Sequence, residues 1–247
     1  MIKKLFTSFV IILLFSQCSK KDTVASSAQN NLNNLNVGAS AKDFLTTAKY
    51  QSINLEIQYM PGFAPDATAL NNLITFLNML LNKPGGTNIT QKQIASTGNA
   101  SFTLAQISEI EKINRTVFTT GTSLGVYFLF TDAAYSDPKV LGLAYKNTSI
   151  TLFGKTVHDN SGGIGKPSLT NMESIVEEHE FGHLLGLVNL GTPLQSNHED
   201  AAHANHCNNS NCLMYWAAQV NLMSGTISSV PTLDTNCRND LRANGGK

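Results

Sequence analysis

The chain is predicted to fold as a single mixed α/β (α+β) domain, and three observations predict it. SINLEIQYMP (52–61) alternates apolar and polar residues, the pattern of a half-buried strand. SLGVYFLFTD (123–132) is continuously apolar, as a strand buried on both faces requires. Around these runs, apolar residues recur at three- and four-residue spacing in segments long enough for helices.

The elements follow in order. Asp66 is placed to cap a helix through ALNNLITFLNMLLN (69–82), which Lys83-Pro84-Gly85-Gly86 ends. A second amphipathic helix fits FTLAQISEIEKINR (102–115). VLGLAYKNTSITLFGKTV (140–157) reads as one or two strands, and NSGGIGKP (160–167) as a loop. The glycines of that loop lack the Gly-Lys-Ser/Thr ending of a phosphate loop. Thr170 with Glu173 forms a capping box for a helix through MESIVEEHEFGHLL (172–185).

The N-terminal part has a different character. Lys3 and Lys4 precede the apolar run Leu5 to Phe15, and Cys18 follows after Ser16 and Gln17. That run is shorter than the roughly 20 residues a bilayer span needs, and it fits the core of a secretory signal. Residues 1–17 therefore read as a signal peptide and Cys18 as the lipidated residue of a bacterial lipoprotein. This expectation places the chain outside the cytoplasm, membrane-anchored through its N-terminal lipid, in the periplasm or on the cell surface. Residues 18–45 are rich in Ser, Asn and Ala and read as a flexible tether, leaving 46–247 as the domain. The 17 basic and 17 acidic residues balance, with no basic stripe, so no nucleic-acid partner is expected.

The chemistry concentrates in the last predicted helix. Met172, Ile175, Val176, His179, His183 and Leu187 fall on one stripe. His179 and His183 are four apart, so their imidazoles project side by side and can share one ion. Glu180 lies beside them, completing the His-Glu-x-x-His arrangement of zinc peptidases. Zinc lowers the pKa of a bound water towards about 7, and Glu180 is placed to take the water's proton as general base. Gly186 supplies the left-handed turn that lets the chain leave the helix towards a third ligand.

His179, Glu180, His183 and Gly186 resemble the metzincin pattern His-Glu-x-x-His-x-x-Gly-x-x-His, but Asn189 stands at the third histidine. The pattern resumes in HCNNSNCLM (206–214), where His206, Cys207, Cys212 and Met214 match the archaemetzincin continuation of that motif. Nineteen residues, 187–205, separate Gly186 from His206, 17 more than the family pattern has, and they read as an inserted loop. The resemblance implies a zinc-peptidase fold with a twisted mixed sheet, an active-site helix and a methionine turn at Met214. It implies Zn2+ on His179, His183 and His206, with His198 and His203 in the insertion as competing third ligands. It also implies a peptide or protein substrate, and LGLAY (141–145) is similar to the strand on which metzincins align a peptide backbone. Archaemetzincins hold a second zinc on four cysteines. Here Cys237 is followed by Arg-Asn-Asp, so a Cys207–Cys212 or Cys212–Cys237 disulfide is expected instead. A zinc hydrolase of a non-peptide substrate and an inactive surface-binding lipoprotein are the competing readings.

Overall fold

A computed structural model describes residues 31–218 and 229–247. The signal segment 1–17 and Cys18 lie outside the described residues. A five-stranded mixed sheet runs in the order β2-β1-β4-β7-β6. Its strands are β1 (Ser52–Tyr59), β2 (Thr87–Gln93), β4 (Ser123–Thr131), β6 (Gly142–Lys146) and β7 (Ser149–Phe153). β6 pairs antiparallel with β7 and forms one edge, while the other pairs are parallel. Two short strands, β3 (Ser101–Phe102) and β5 (Ala134–Tyr135), pair separately. The helices are α1 (Ala41–Leu45), α2 (Ala67–Leu80), α3 (Leu104–Asn114), α4 (Gly154–Asp159), α5 (Leu169–Leu184) and α6 (Thr235–Ala243).

Local chemistry sets the helix ends. Asp66 Oδ1 accepts from the backbone N–H of Thr68 and Ala69 and opens α2, as expected. Thr103 and Gln106 cap α3 reciprocally. The expected Thr170–Glu173 box does not form. Ser168 caps α5 instead, accepting from Asn171 N at 3.1 Å. Glu173 Oε2 accepts from Asp66 N at 2.7 Å and ties the start of α2 to α5. Segment 140–157 is a hairpin of β6 and β7, and its last residues turn into α4.

The central strand β4 is buried on both faces. Leu124, Val126, Phe128 and Phe130 of β4 join the core beneath α2 and α5. Tyr127 and Leu129 point the other way, into a smaller core with Ile107 and Ile110 of α3. β1 departs from its expected half-burial, because Glu56 and Gln58 on its polar side are buried too. Glu56 stays satisfied there, accepting from Thr116 N, Val117 N and the Thr116 hydroxyl at 2.7–2.8 Å.

Residues 31–45, read as tether, are built into the domain. Asn33 is 3% exposed and bonds Thr119, Thr148 and the Gly125 carbonyl. Asn147 reaches back to Leu32 O and Ser40 Oγ, both at 2.8 Å. Phe44 is buried edge-on against Phe181 of α5, with ring centroids 5.8 Å apart. Polar composition suggested a solvated linker, but satisfied amides let these asparagines sit in the interior.

Glu173 gives one pH-dependent expectation. Its side chain is 1% exposed, and burial pushes its carboxyl up from 4.5 to about 7. A raised acid stabilises the fold while protonated; that contribution is complete below pH 4.5 and is lost as pH rises through 7. Glu173→Gln keeps an acceptor for Asp66 N and removes the charge. The variant is expected to exceed the native chain by about 2–3 kcal/mol in urea unfolding at pH 8 and to match it at about pH 4. Equal stability of the two at pH 8 would exclude a buried, charged Glu173.

Candidate metal centre

α5 is buried from Met172 through Leu184, so its polar side chains have protein around them instead of water. His179 and His183 lie one turn apart, with their Nε2 atoms 3.1 Å from each other. Two nitrogens on one tetrahedral zinc, each about 2.0–2.1 Å from it, would sit about 3.3 Å apart. His179 Nδ1 lies 2.8 Å from the Leu213 carbonyl, which holds a proton on Nδ1 and leaves the Nε2 lone pair for a ligand. Burial, and then the neighbouring His206, lowers His179 to about 3. Burial, and then His179 and His206, drives His183 well below its usual value. Both are therefore neutral, the form that binds a metal.

His206 completes the group. Its ring stacks on His179 with centroids 5.3 Å apart and meets His183 edge-on at 5.0 Å. One donor atom from each of the three lies within 4.8 Å of the other two. His206 Nδ1 is 3.0 Å from the Ala204 carbonyl, so the same tautomer argument points its Nε2 at the site. The two competing histidines are elsewhere. His198 is buried with Nε2 2.7 Å from Asp240 Oδ2. His203 is 2.9 Å from Asp200 Oδ2 and stacks on Trp216 at 4.1 Å.

Glu180 is fully buried beside this group. Its Oε2 accepts from Ala144 N of the edge strand β6 at 2.7 Å, and Oε1 has no hydrogen-bond partner among the described residues. Burial raises its carboxyl to about 8, with the Ala144 N–H opposing. Met214 is buried, and a Cβ placed on Gly182 would lie 2.3 Å from its Sδ. Glycine at 182 therefore lets the methionine pack on α5 between the two histidines. Asn189 is not in the group; it adopts a left-handed backbone, φ 65°, and its amide donates to Glu199 Oε2.

A second cluster adjoins the first. Cys207, Cys212, Cys237 and Asp234 each present one ligand atom, all within 4.8 Å of one another. The three cysteines are free and buried, contrary to the expected disulfide. Cys212 Sγ and Cys237 Sγ are 3.6 Å apart, close to the roughly 3.8 Å that two 2.3 Å zinc–sulfur bonds subtend in a tetrahedron. Hydrogen bonds from the neighbouring Cys207 and Cys237 thiols push Cys212 well below the usual thiol value. Asp234 presents the fourth candidate donor atom, and no motif in the sequence marked it for that role. It also caps α6, with Oδ1 accepting from Cys237 N at 2.9 Å, while Oδ2 faces Cys207 Sγ at 3.4 Å.

No family model and no curated protein matches the sequence. Among solved structures, the crystal structure of archaemetzincin from Methanopyrus kandleri aligns with 78% of this chain and 96% of its own. The TM-score is 0.52 at 13% sequence identity. The fold is archaemetzincin-like. Metalloproteinase-II from Bacteroides fragilis aligns over 90% of this chain and 59% of its own, with 13% identity and a TM-score of 0.43. That second likeness is too loose to define the fold. In this chain 19 residues separate Gly186 from His206, and the loop they form brings His206 back to the helix.

Proposed function

We propose that the chain is a zinc-dependent endopeptidase, with His179, His183 and His206 as the metal ligands and Glu180 as the general base. The observation that carries this reading is the convergence of three histidines beside a buried glutamate whose Oε1 has no hydrogen-bond partner among the described residues. Zinc, when bound, polarises the scissile carbonyl and acidifies a water. Ala144 N fixes Glu180 Oε2, so Oε1 is the oxygen that accepts a proton from the attacking water and returns it to the leaving amine. Burial makes this carboxylate a stronger base than one in solvent, and a cation on the histidines draws its pKa back down towards neutrality. β6 pairs on one side with β7, and its outer edge suits an extended peptide. A second zinc on Cys207, Cys212, Cys237 and Asp234 belongs to the same proposal. It would clamp the residues on either side of the methionine turn.

Zinc content and cleavage of a peptide library test this together. The native chain is expected to bind two zinc ions and to cleave. His206→Ala is expected to keep one and to lose cleavage, and Cys212→Ser to keep the histidine-bound ion alone. Full zinc and activity in His206→Ala would move the third ligand elsewhere. Stoichiometric zinc with no cleavage of any peptide or protein would favour a non-peptide hydrolase or an inactive binding protein.

The proposal also keeps the N-terminal reading: export on residues 1–17, lipid on Cys18, and residues 19–30 as the remaining spacer. Labelled palmitate is expected in the native chain expressed in a bacterium and absent from Cys18→Ser. Equal label in both would remove the anchor.

A further inference from the structure

We infer that Glu199, held by Asn189, is the positioning residue that sets His206 in place across the insertion, an inference that rests on the proposed metal-binding role of His206. In the uninterrupted pattern the third ligand follows Gly186 by three residues, so a short turn alone places it. Here the ligand comes 20 residues after Gly186, and something else must hold it.

The chain does this with a hairpin. After α5 it doubles back sharply, with Leu190 N and Thr192 N both donating to Gly186 O. Val188 and Asn189 sit in the left-handed region at φ 54° and 65°, a conformation asparagine tolerates and valine does not. The turn is therefore strained at a fully buried valine and is sustained by its surroundings. The loop then returns as a two-sided hairpin: Asp200 N donates to His206 O at 2.8 Å, and Asn208 N to His198 O at 2.9 Å. Glu199 and Cys207 face each other across it.

Glu199 joins the two ends of this excursion. Its Oε1 accepts from Asn205 N at 2.8 Å, the peptide immediately before the ligand, where Asn205 also has φ 65°. Its Oε2 accepts from the Asn189 amide at 3.2 Å, at the position where the family pattern has its third histidine. One carboxylate thus connects the family's ligand position to the peptide that carries the actual ligand. Hydrogen bonds to a charged acceptor are the stronger kind, and a ligand on a long loop gains most from being fixed before the ion arrives. His203, near the hairpin tip, stacks on Trp216 and ties the tip to the segment after the methionine turn.

The test is zinc affinity, counting only the zinc that His183→Ala removes, measured by competition with a chromogenic chelator. Glu199→Ala is expected to weaken that affinity by about 10- to 100-fold, the usual range for a partner that orients a ligand. Glu199→Gln keeps an acceptor for Asn205 N and is expected to stay within about threefold of the native chain. Asn189→Gly keeps the left-handed backbone at this exposed position and removes only the amide; it should weaken zinc less than Glu199→Ala, and the double variant should be no worse than Glu199→Ala alone. Native zinc affinity in Glu199→Ala overturns the inference, as does a Glu199→Gln as weak as Glu199→Ala, which would mark a general structural defect. A native chain without His183-dependent zinc overturns both this inference and the proposed function. His183-dependent zinc that ignores Glu199 overturns the inference alone.

Discussion

Glu180→Gln is expected to lower kcat on a cleaved peptide by about 10²–10⁴-fold while leaving zinc content unchanged. Glutamine has the shape of glutamate, and its carbonyl oxygen can keep the 2.7 Å bond from Ala144 N that glutamate makes now. What it loses is the proton-accepting oxygen. Because Glu180 is fully buried and Oε1 has no other partner among the described residues, no neighbouring carboxylate stands ready to take over at that atom. Metal analysis and steady-state kinetics on one preparation separate the possible results. Activity within threefold of native would place the base elsewhere, and zinc loss would make Glu180 part of the metal-holding structure instead.

Gly186→Ala carries the second large effect, on stability. Gly186 has φ 74°, and a Cβ there would lie 2.6 Å from Thr192 N and 2.8 Å from the Ala41 Cβ. The left-handed backbone costs a residue with a Cβ about 1–2 kcal/mol, and overpacking a buried site adds about 1–3 kcal/mol. A loss of about 2–5 kcal/mol in urea unfolding of the zinc-free chain is therefore expected. The damage should also reach zinc affinity, since Gly186 O accepts both Leu190 N and Thr192 N at the start of the insertion. A change within roughly 0.5 kcal/mol would show that the turn relaxes to accommodate the added Cβ.

Much of the fold was legible because its elements carry strong local signals. The alternation of 52–61, the apolar run of 123–132 and the Asp66 cap are all short-range patterns, and each element appears where it was expected. Misreadings arose where a residue's partner lies far along the chain. Glu173 matches the capping-box spacing, yet its carboxylate is drawn to Asp66, 107 residues away. Glu56 looks like the wet side of a strand until the 115–119 segment folds over it. Asn33 looks like linker until Thr119 and Thr148 meet it.

The residues of the proposed site divide the same way. By itself, the sequence determined His179, Glu180, His183 and Gly186, because helical periodicity places two imidazoles on one turn and a glycine ends it. It left three histidines, at 198, 203 and 206, competing for one role, since no local rule says where a 19-residue loop returns. Only the tertiary structure separates them in space, and the proposed role goes to the one beside the helix. Asp240 takes His198, Trp216 and Asp200 take His203, and the hairpin closed by Glu199 brings His206 to the helix. The same holds for Asp234, which meets the three cysteines after α6 has docked. Ligand identity in a helix follows from periodicity, whereas ligand identity across an insertion follows from packing, which composition and spacing do not encode.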